Sequence, residues 1–228
     1  MAAPPRWYTA LTKALNEHDK SKLYQVSTVD ASNRPHARSQ IHRGFLTAPA
    51  LPALPVLLTS TDGRTPKAKQ IAHQSAVEVC WWIDGSADQF RFAGRARVVG
   101  APPLELKPLP GCAALAALDA AGFDWEAKHH EMFDAVSEHM RASWCRPPPG
   151  SVLEGGYEEM DGWPTSVKRT GEAETDEEKK FTQQAFGNYA LMAIEPLEVD
   201  WVQMSIQPNR RTRFTRDGEG WKEEPIVP

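Results

Sequence analysis

The sequence has few cysteines and no motif typical of a metal centre or of a common nucleotide-binding loop. Its three cysteines, Cys80, Cys112 and Cys145, are widely spaced and form no Cys-x-x-Cys pair. This pattern is typical of reduced thiols and argues against a disulfide framework or a zinc site. The chain also lacks a His-Glu-x-x-His arrangement, a Gly-x-Gly-x-x-Gly fingerprint, a Walker loop and a Gly-x-Ser-x-Gly elbow. We therefore expect no metal, and the sequence identifies no catalytic residue.

Long apolar runs and concentrated positive charge are lacking too. No apolar segment approaches the roughly 20 residues that cross a membrane, and the N-terminus has no signal-peptide core. The formal net charge is −4, with basic residues scattered along the chain, whereas nucleic-acid-binding domains usually concentrate positive charge. The sequence therefore predicts a cytoplasmic protein that binds neither membranes nor nucleic acid.

The patterns that are present favour a mainly β (α+β) domain. The 228 residues are 41% hydrophobic and 25% charged, which is ordinary for one globular domain spanning 1–228. Helical spacing predicts helices at 7–18 and 67–74. Strands separated by tight turns favour an antiparallel barrel, and they are predicted at 23–29, 36–45, 56–60, 77–83, 89–99, 188–195, 198–204 and in a hairpin over 210–221.

Two further segments interrupt this pattern. Residues of about 101–146 are rich in Ala and Leu and then show helical spacing, which predicts a helical insertion between strands. The stretch of about 151–182 contains Gly-Gly and an acidic run starting at Glu172. This composition predicts a flexible, solvated acidic loop.

The stretch Thr59–Ile71 combines hydroxyl groups, an Asp62-Gly63 turn signal and three basic residues, between a predicted strand and a predicted helix. Hydroxyls, backbone N–H groups and positive charge at a helix start can bind a phosphate. The alternative is a basic loop that is simply solvated.

Fragments before and after this stretch follow a recognisable order. Arg38-Ser-Gln-Ile-His-Arg43, followed by Gly44-Phe45, places two basic residues five positions apart on a strand. Ser60-Thr61 and Thr65-Pro66-Lys67 follow, and then Gln89-Phe-Arg-Phe-Ala-Gly94. Near the end come Trp201-Val-Gln203 and the segment from Arg210 to Arg213. In this order the fragments resemble the pyridoxamine 5′-phosphate oxidase-like flavoproteins, and within them an FMN-binding branch with Gly-Phe after the second basic residue.

The resemblance covers most of 7–100 and 186–228. It implies a six-stranded antiparallel split β-barrel with peripheral helices, FMN as cofactor, and a homodimer with FMN at the subunit interface. It also implies NADH or NADPH as a candidate electron donor. The substrate-binding residue that it implies is Arg210. The FMN-binding residues that it implies are Arg38, Ser39, Gln40, Ile41, Arg43, Ser60, Thr61, Arg64, Thr65, Lys67, Gln89, Trp201 and Arg213.

The chain departs from the family at two places. Pro66 stands where the phosphate loop of the family has an arginine, and Arg64 is the residue whose charge could replace it. Arg210-Arg-Thr212 replaces the Arg-x-His pair that holds substrate in pyridoxamine phosphate oxidases, so that activity is not expected. The leading hypothesis is an FMN-dependent oxidoreductase with an unidentified small substrate. The alternatives are a non-catalytic FMN carrier, sensor or interaction protein, and a barrel that has lost the cofactor.

Trp201 and two arginines of the strand at 89–99 also have a purely structural interpretation. For Trp201 ordinary core packing is an equally acceptable interpretation. The polar face of the strand at 89–99 predicts that Arg95 and Arg97 are solvated.

Overall fold

The computed structural model describes residues 3–101 and 106–228, which form six α-helices and nine β-strands. The helices are α1 (Arg6–Glu17), α2 (Pro66–His73), α3 (Ala113–Ala120), α4 (Trp125–Ala135), α5 (Glu138–Ala142) and α6 (Asp176–Asn188). The strands are β1 (Leu23–Val29), β2 (Pro35–Ile41), β3 (Gly44–Leu46), β4 (Val56–Asp62), β5 (Ala76–Ile83), β6 (Asp88–Val99), β7 (Tyr189–Gln203), β8 (Arg210–Asp217) and β9 (Gly220–Ile226). Within this described part, none of the helices combines the length and the apolar character that a membrane crossing needs.

The strand predicted at 36–45 is two strands in the structure. β2 ends at Ile41, and β3 starts at Gly44 and pairs with β4 instead of β1. Gly44 has a φ of +138°, a backbone conformation open to glycine and strained for other residues. This glycine therefore lets the chain turn from one sheet edge to another.

The acidic segment contains a helix where a loop was predicted. α6 begins at Asp176, because the Thr175 side chain accepts from the Glu178 backbone while the Glu178 side chain accepts from the Thr175 backbone. This reciprocal capping box fixes a helix start inside the acidic run. The rest of that segment includes a 3₁₀ turn at Gly156–Gly162, and its flexibility stays a prediction. Four residues of the predicted insertion, 102–105, lie outside the described residues. The described remainder of the insertion contains the helices α3, α4 and α5.

All strands belong to one antiparallel sheet with the order β2-β1-β5-β6-β7-β4-β3, to which β8 adds on β7 and β9 adds on β8. The predicted count of six strands is therefore not confirmed. Strand β7, expected as two segments, is one strand of 15 residues. It pairs with β6 along its length, with β4 through Tyr189–Ile194 and with β8 through Glu198–Gln203.

The sheet curls so that its β2 edge approaches β4. The Thr59 hydroxyl donates to the Ile41 carbonyl at 2.7 Å, and the Arg43 backbone N–H donates to the Leu58 carbonyl at 2.8 Å. These contacts join the two strands without a continuous ladder in the described residues. A bulge at Ala93/Gly94 accompanies the curl. A Cβ at Gly94 would lie 2.3 Å from the Glu195 carbonyl oxygen, so this close approach of β6 and β7 requires glycine.

Two hydrophobic cores lie on the opposite faces of β4 and β7. Leu57 and Ile194 belong to the core inside the curled sheet, which α1 covers with Trp7. Leu58 and Ala193 belong to a second core, between the sheet and the helices after β6. Both faces of these strands are buried, which explains why their apolar runs are nearly continuous instead of alternating.

Charged groups attach the helical segment to the sheet. The buried Glu195 carboxylate on β7 accepts from the Ala114 and Leu115 backbone N–H groups at 3.0 and 2.8 Å, at the start of α3. Arg97 on β6 forms a bidentate pair with Asp119 at 2.6 and 2.9 Å. Arg97 is buried, so the prediction of a solvated side chain is wrong at this position, because α3 covers that part of the strand.

Candidate functional site

The site is built where the inward face of β4 changes from apolar to polar. Leu57, Thr59 and Thr61 alternate along this face, so the strand carries an apolar residue into the core and then two hydroxyl groups. α2 starts immediately after the turn that follows β4. Thr65 is its N-cap and accepts from the Ala68 backbone N–H at 3.4 Å, while Pro66 occupies the first turn.

Lys67, in the first turn of α2, points back toward β4 and is only 6% exposed. Its ammonium group donates to the Thr61 hydroxyl. Burial, and to a smaller extent the nearby charge of Arg38, lower the pKa of Lys67 from its ordinary 10.5 to about 8, while Asp62 opposes both effects. The fold therefore holds a cation in a place where its charge is costly.

Gln40 on β2 connects Lys67 to β4. Its amide orientation follows from its neighbours: the NH₂ group donates to the Ser60 carbonyl at 2.9 Å and to the Thr59 hydroxyl at 3.2 Å. The amide oxygen then accepts from Lys67 Nζ at 3.3 Å. This orientation is consistent with Thr59, whose own proton is directed to the Ile41 carbonyl. Gln40 thus positions the Lys67 ammonium group.

Arg38 lies one residue pair away on the same face of β2. It donates to the Thr28 hydroxyl at 2.7 Å, to the His36 carbonyl at 2.7 Å and to the Gln70 side chain at 3.2 Å. Burial lowers its pKa. Because Gln70 follows Lys67 by about one helical turn, these contacts tie Arg38 to the face of α2 that carries Lys67.

The two cations are not neutralised by acidic side chains. In the described part of the chain, no carboxylate lies within 4 Å of the charged nitrogens of Arg38 or Lys67. Asp62, the acidic residue that acts on Lys67, is already engaged by Arg64. Buried positive charge without a counter-ion, next to hydroxyls and a helix start, fits a bound phosphate.

Arg43 is a further basic residue, at the β2–β3 turn. Its side-chain Nε is buried and has no hydrogen-bond partner among the described residues, and no carboxylate there lies within 4 Å of it. A buried donor of this kind is costly unless a ligand or water satisfies it. The charge of Arg43 acts on the Tyr189 hydroxyl, in the second core, and no contact in the described structure brings Arg43 to Lys67.

Arg64 does not join this cluster, although it was the residue expected to replace the missing loop arginine. It forms a bidentate pair with Asp62 at 3.0 and 2.6 Å and reaches the Trp144 carbonyl at 3.4 Å. Asp62 follows Thr61 on β4 and therefore faces the helical segment, away from Lys67. The compensation predicted for Pro66 is not present in this arrangement.

The remaining predicted residues lie elsewhere on the chain. Ser39 and Ile41 alternate with Arg38 and Gln40 and thus face the outside of the sheet. Gln89 lies on the same outer face, paired with Trp82. In the described structure, the side chains of these three residues make no hydrogen bond to the cluster around Arg38 and Lys67. Their roles stay predictions.

The C-terminal residues also lie apart from the cluster. Trp201 is buried, stacks on Phe90 at 5.5 Å and donates its indole N–H to Asp88 at 2.9 Å, contacts that fit the core-packing alternative. Arg213 lies on the outer face, 3.6 Å from Glu198, and Arg210 is exposed at the start of β8. In the described part of the single chain, none of these three residues contacts the cluster around Arg38 and Lys67.

Sequence reasoning missed three polar residues of the cluster. Thr28, Thr59 and Gln70 connect Arg38, Gln40 and α2. A signal for Thr59 was available, because it alternates with Thr61 on the strand. Thr28 had been assigned only to one face of a strand, and the reach of Gln70 depends on how α2 packs against β1.

Comparisons with known proteins agree with this geometry. Residues 4–100 match the family described as "Pyridoxamine 5′-phosphate oxidase, FMN-binding domain". The chain is 24% identical over 219 residues to "Pyridoxine/pyridoxamine 5′-phosphate oxidase 2" of Arabidopsis thaliana, covering 93% of this chain and 91% of that protein.

Two solved structures share the fold over almost the whole chain. One is a pyridoxamine 5′-phosphate oxidase-related, FMN-binding protein from Nostoc punctiforme, with a TM-score of 0.69, 23% identity and full coverage of both chains. The other is PhzG from Burkholderia lata in complex with tetrahydrophenazine-1-carboxylic acid, with a TM-score of 0.64 and 13% identity. It covers 99% of this chain and 94% of that one.

Proposed function

We propose that this chain, whose residues 4–100 belong to the pyridoxamine 5′-phosphate oxidase FMN-binding domain family and whose cofactor is FMN, is an FMN-dependent oxidoreductase acting on a small substrate. The observation that carries the proposal is a pair of cations beside α2, the buried Lys67 and the half-buried Arg38, which donate to the Thr61 and Thr28 hydroxyls and have no carboxylate partner among the described residues. This pair lies inside the segment that matches the FMN-binding family.

The donor set fits the phosphate of FMN. Lys67 and Arg43 supply positive charge, Thr61 and Thr65 supply hydroxyls, and Gln40 holds the Lys67 ammonium group in place. Arg38 adds charge from β2 and is oriented by Thr28 and Gln70, as described above. A phosphate dianion normally needs several charge-assisted donors of this kind. Gln89 is proposed as a donor to the edge of the flavin ring.

FMN, when bound, supplies the redox chemistry by accepting or delivering two electrons. The chain's own residues bind and orient it and exclude water from its phosphate. The phosphate would raise the lowered pKa of Lys67, because a nearby anion favours the charged ammonium form. NADH or NADPH is the proposed electron donor.

We further propose that β1, β2, β4, β5, β6 and β7 form the six-stranded split barrel of the family, with β3, β8 and β9 added to it. The contacts of Thr59 with Ile41 and of Arg43 with Leu58 support this assignment, since they bring the edges of the curled sheet together.

A homodimer with FMN between the subunits is part of the proposal. The outer face of the sheet carries a row of exposed apolar side chains: Leu23 is 50%, Ile41 39% and Trp82 41% exposed. Ile41 pairs with Leu23, and Trp82 pairs with Gln89 in the neighbouring ladder. If a second copy of the chain packed over this row, apolar surface would be removed from water. It would also place Gln89 and Arg213, both on this outer face, at the interface.

The alternative function is non-catalytic FMN binding, as a carrier or sensor. One observation favours it specifically: Arg211 in the Arg210-Arg-Thr212 segment is bound to Asp200 at 2.9 and 2.7 Å. Arg211 is therefore not free to bind a substrate, so that role would rest on Arg210 alone, and no histidine is present in the segment to assist it.

The test starts with FMN itself. Protein purified under native conditions should be yellow, or should quench the fluorescence of added FMN with a saturable, one-to-one dependence. Colourless protein that leaves FMN fluorescence unchanged would refute both flavin hypotheses. Reduction of the bound flavin by NADH or NADPH without oxygen, followed by reoxidation with oxygen, separates an oxidoreductase from a carrier.

Because the Arabidopsis relative is named a pyridoxine/pyridoxamine 5′-phosphate oxidase, these two phosphates are the first substrates to assay. We expect no product, since Thr212 stands in place of the substrate-binding histidine. Turnover of either compound would overturn that expectation and identify the substrate.

A further inference from the structure

A cavity of about 340 Å³ lies between the end of β4 and the segment that follows α5. Its walls include Asp62, Trp144, Arg146, Leu153 and Trp163, together with the three consecutive prolines after Arg146. The volume is within the range of small-molecule sites, which starts near 300 Å³. Proline and tryptophan side chains give it stiff, apolar walls.

Arg146 supplies the charge of this cavity. Its guanidinium carbon lies 5.7 Å from the centroid of the Trp163 ring, so the cation rests over the ring face. Among the described residues, its buried Nε has no hydrogen-bond partner, and no carboxylate lies within 4 Å of the side chain. Arg146 is therefore a partly buried cation without a counter-ion.

The ion pair of Asp62 and Arg64, at the cavity wall, does not supply that counter-ion. Asp62 lines the wall, but both of its oxygens are bound by Arg64. Asp62 and Arg64 cancel each other, and the cavity keeps one net positive charge from Arg146. A single guanidinium fork matches the two oxygens of a carboxylate, whereas a phosphate dianion normally has several cationic partners.

We propose that this cavity, the Arg146 cavity, binds a small planar aromatic carboxylate. The carboxylate pairs with the Arg146 guanidinium group, and the aromatic ring packs against Trp163 and the proline wall. Aromatic stacking and a charge-assisted pair together favour a flat, negatively charged ligand over an aliphatic or a neutral one.

The cavity is joined to the proposed FMN phosphate site through β4. Asp62 lines the cavity, and its backbone carbonyl accepts from the hydroxyl of Thr65, the residue that caps α2, at 2.8 Å. Binding of the carboxylate itself is independent of FMN. Its role as the substrate of the oxidoreductase rests on the proposed function.

The test uses full-length protein and 2-naphthoate as the probe, with binding measured by isothermal titration calorimetry. The wild-type protein should bind it saturably, and Arg146→Gln should weaken binding by about tenfold or more, since a charge-assisted hydrogen-bond pair is lost. Arg146→Lys keeps the charge but loses the fork and should weaken binding less. Arg169→Gln is the matched control, because Arg169 is exposed and pairs only with Glu172 on the surface.

Two comparison ligands decide the chemistry. 2-Naphthamide, which is neutral, and 2-naphthyl phosphate, which is a dianion, should both bind more weakly than 2-naphthoate. Equal binding of the amide would overturn the carboxylate assignment, and tighter binding of the phosphate ester would do so as well. Thermal unfolding of each variant checks that the fold is retained.

An FMN titration of the same samples separates this proposal from the proposed function. If FMN binds and 2-naphthoate does not, or if Arg146→Gln binds 2-naphthoate like the wild type, the Arg146 cavity proposal fails alone. If 2-naphthoate binds through Arg146 and FMN does not bind, the cavity proposal stands and the proposed function fails.

Discussion

Replacing Lys67 with methionine should stabilise the FMN-free protein while weakening its binding of FMN. Lys67 is only 6% exposed, and burial lowers its pKa from 10.5 to about 8. A difference of about 2.5 pH units corresponds to about 3 kcal/mol of unfavourable free energy for holding the charged form in the folded state. Loss of the hydrogen bond to Thr61 offsets about 1 kcal/mol. We therefore expect the free energy of unfolding of Lys67→Met to be about 2 kcal/mol higher than that of the wild type at pH about 7.

The pH dependence gives a second, independent readout. Below pH about 8, Lys67 is protonated in both the folded and the unfolded chain, so the whole cost is present. Between about 8 and 10.5 the folded protein releases this proton while the unfolded chain keeps it, and stability therefore rises with pH. The advantage of Lys67→Met over the wild type should shrink by about 2 kcal/mol between pH about 7 and about 9.5.

The assay is urea unfolding of FMN-free wild type and variant at both pH values, followed by fluorescence titration with FMN. Lys69→Met is the matched control, because Lys69 is exposed on the same helix and should change neither stability nor its pH dependence. The reasoning is refuted if Lys67→Met is less stable than the wild type at neutral pH. It is refuted too if the difference is independent of pH, or if FMN affinity falls by less than about tenfold.

Three further predictions concern the cofactor, the dimer and the sheet. The double change Arg43→Ala and Lys67→Ala should lower FMN affinity at least tenfold, because each charge-assisted bond contributes about 1.5–3 kcal/mol, and an unchanged affinity would remove both residues from the site. Trp82→Glu should convert a dimer to a monomer in sedimentation velocity, whereas Trp82→Phe should not; a dimer that survives the glutamate places the interface elsewhere. Gly94→Ala should destabilise the fold by about 1–3 kcal/mol, because its Cβ would meet backbone at 2.3 Å. The same change at Gly187, where a Cβ meets nothing within 4 Å, serves as the control in chemical denaturation.

Residues whose neighbours are close in sequence were the easiest to predict. The helix predicted at 67–74 is α2, Pro66–His73, and its position depends on spacing within a few residues, which the sequence displays directly. The charged residues at longer range were harder. The Arg64 side chain has the charge and the donors of a phosphate ligand. Its actual partner depends on which face of β4 carries Asp62 and on where the helical segment packs.

Arg97 illustrates the same difficulty. Its position on a strand with an alternating pattern predicts a solvated side chain, yet α3 packs over that end of β6 and supplies Asp119 as a partner. Tertiary packing of an inserted segment determined the outcome, and a periodic pattern within one strand contains no information about it.

The central position of β7 has a consequence for how the chain can be divided. Residues 4–100 match the FMN-binding family as a unit, yet the strand that pairs with both β4 and β6 is β7, which starts at Tyr189. A fragment that ends at Gly100 would leave two long strand edges without partners, and such edges are templates for aggregation. On the ribosome, β4 and β6 cannot be bridged until about five sixths of the chain has been synthesised, because β7 begins at Tyr189. The proposed phosphate site around Lys67 thus depends on a strand that is made roughly 120 residues later.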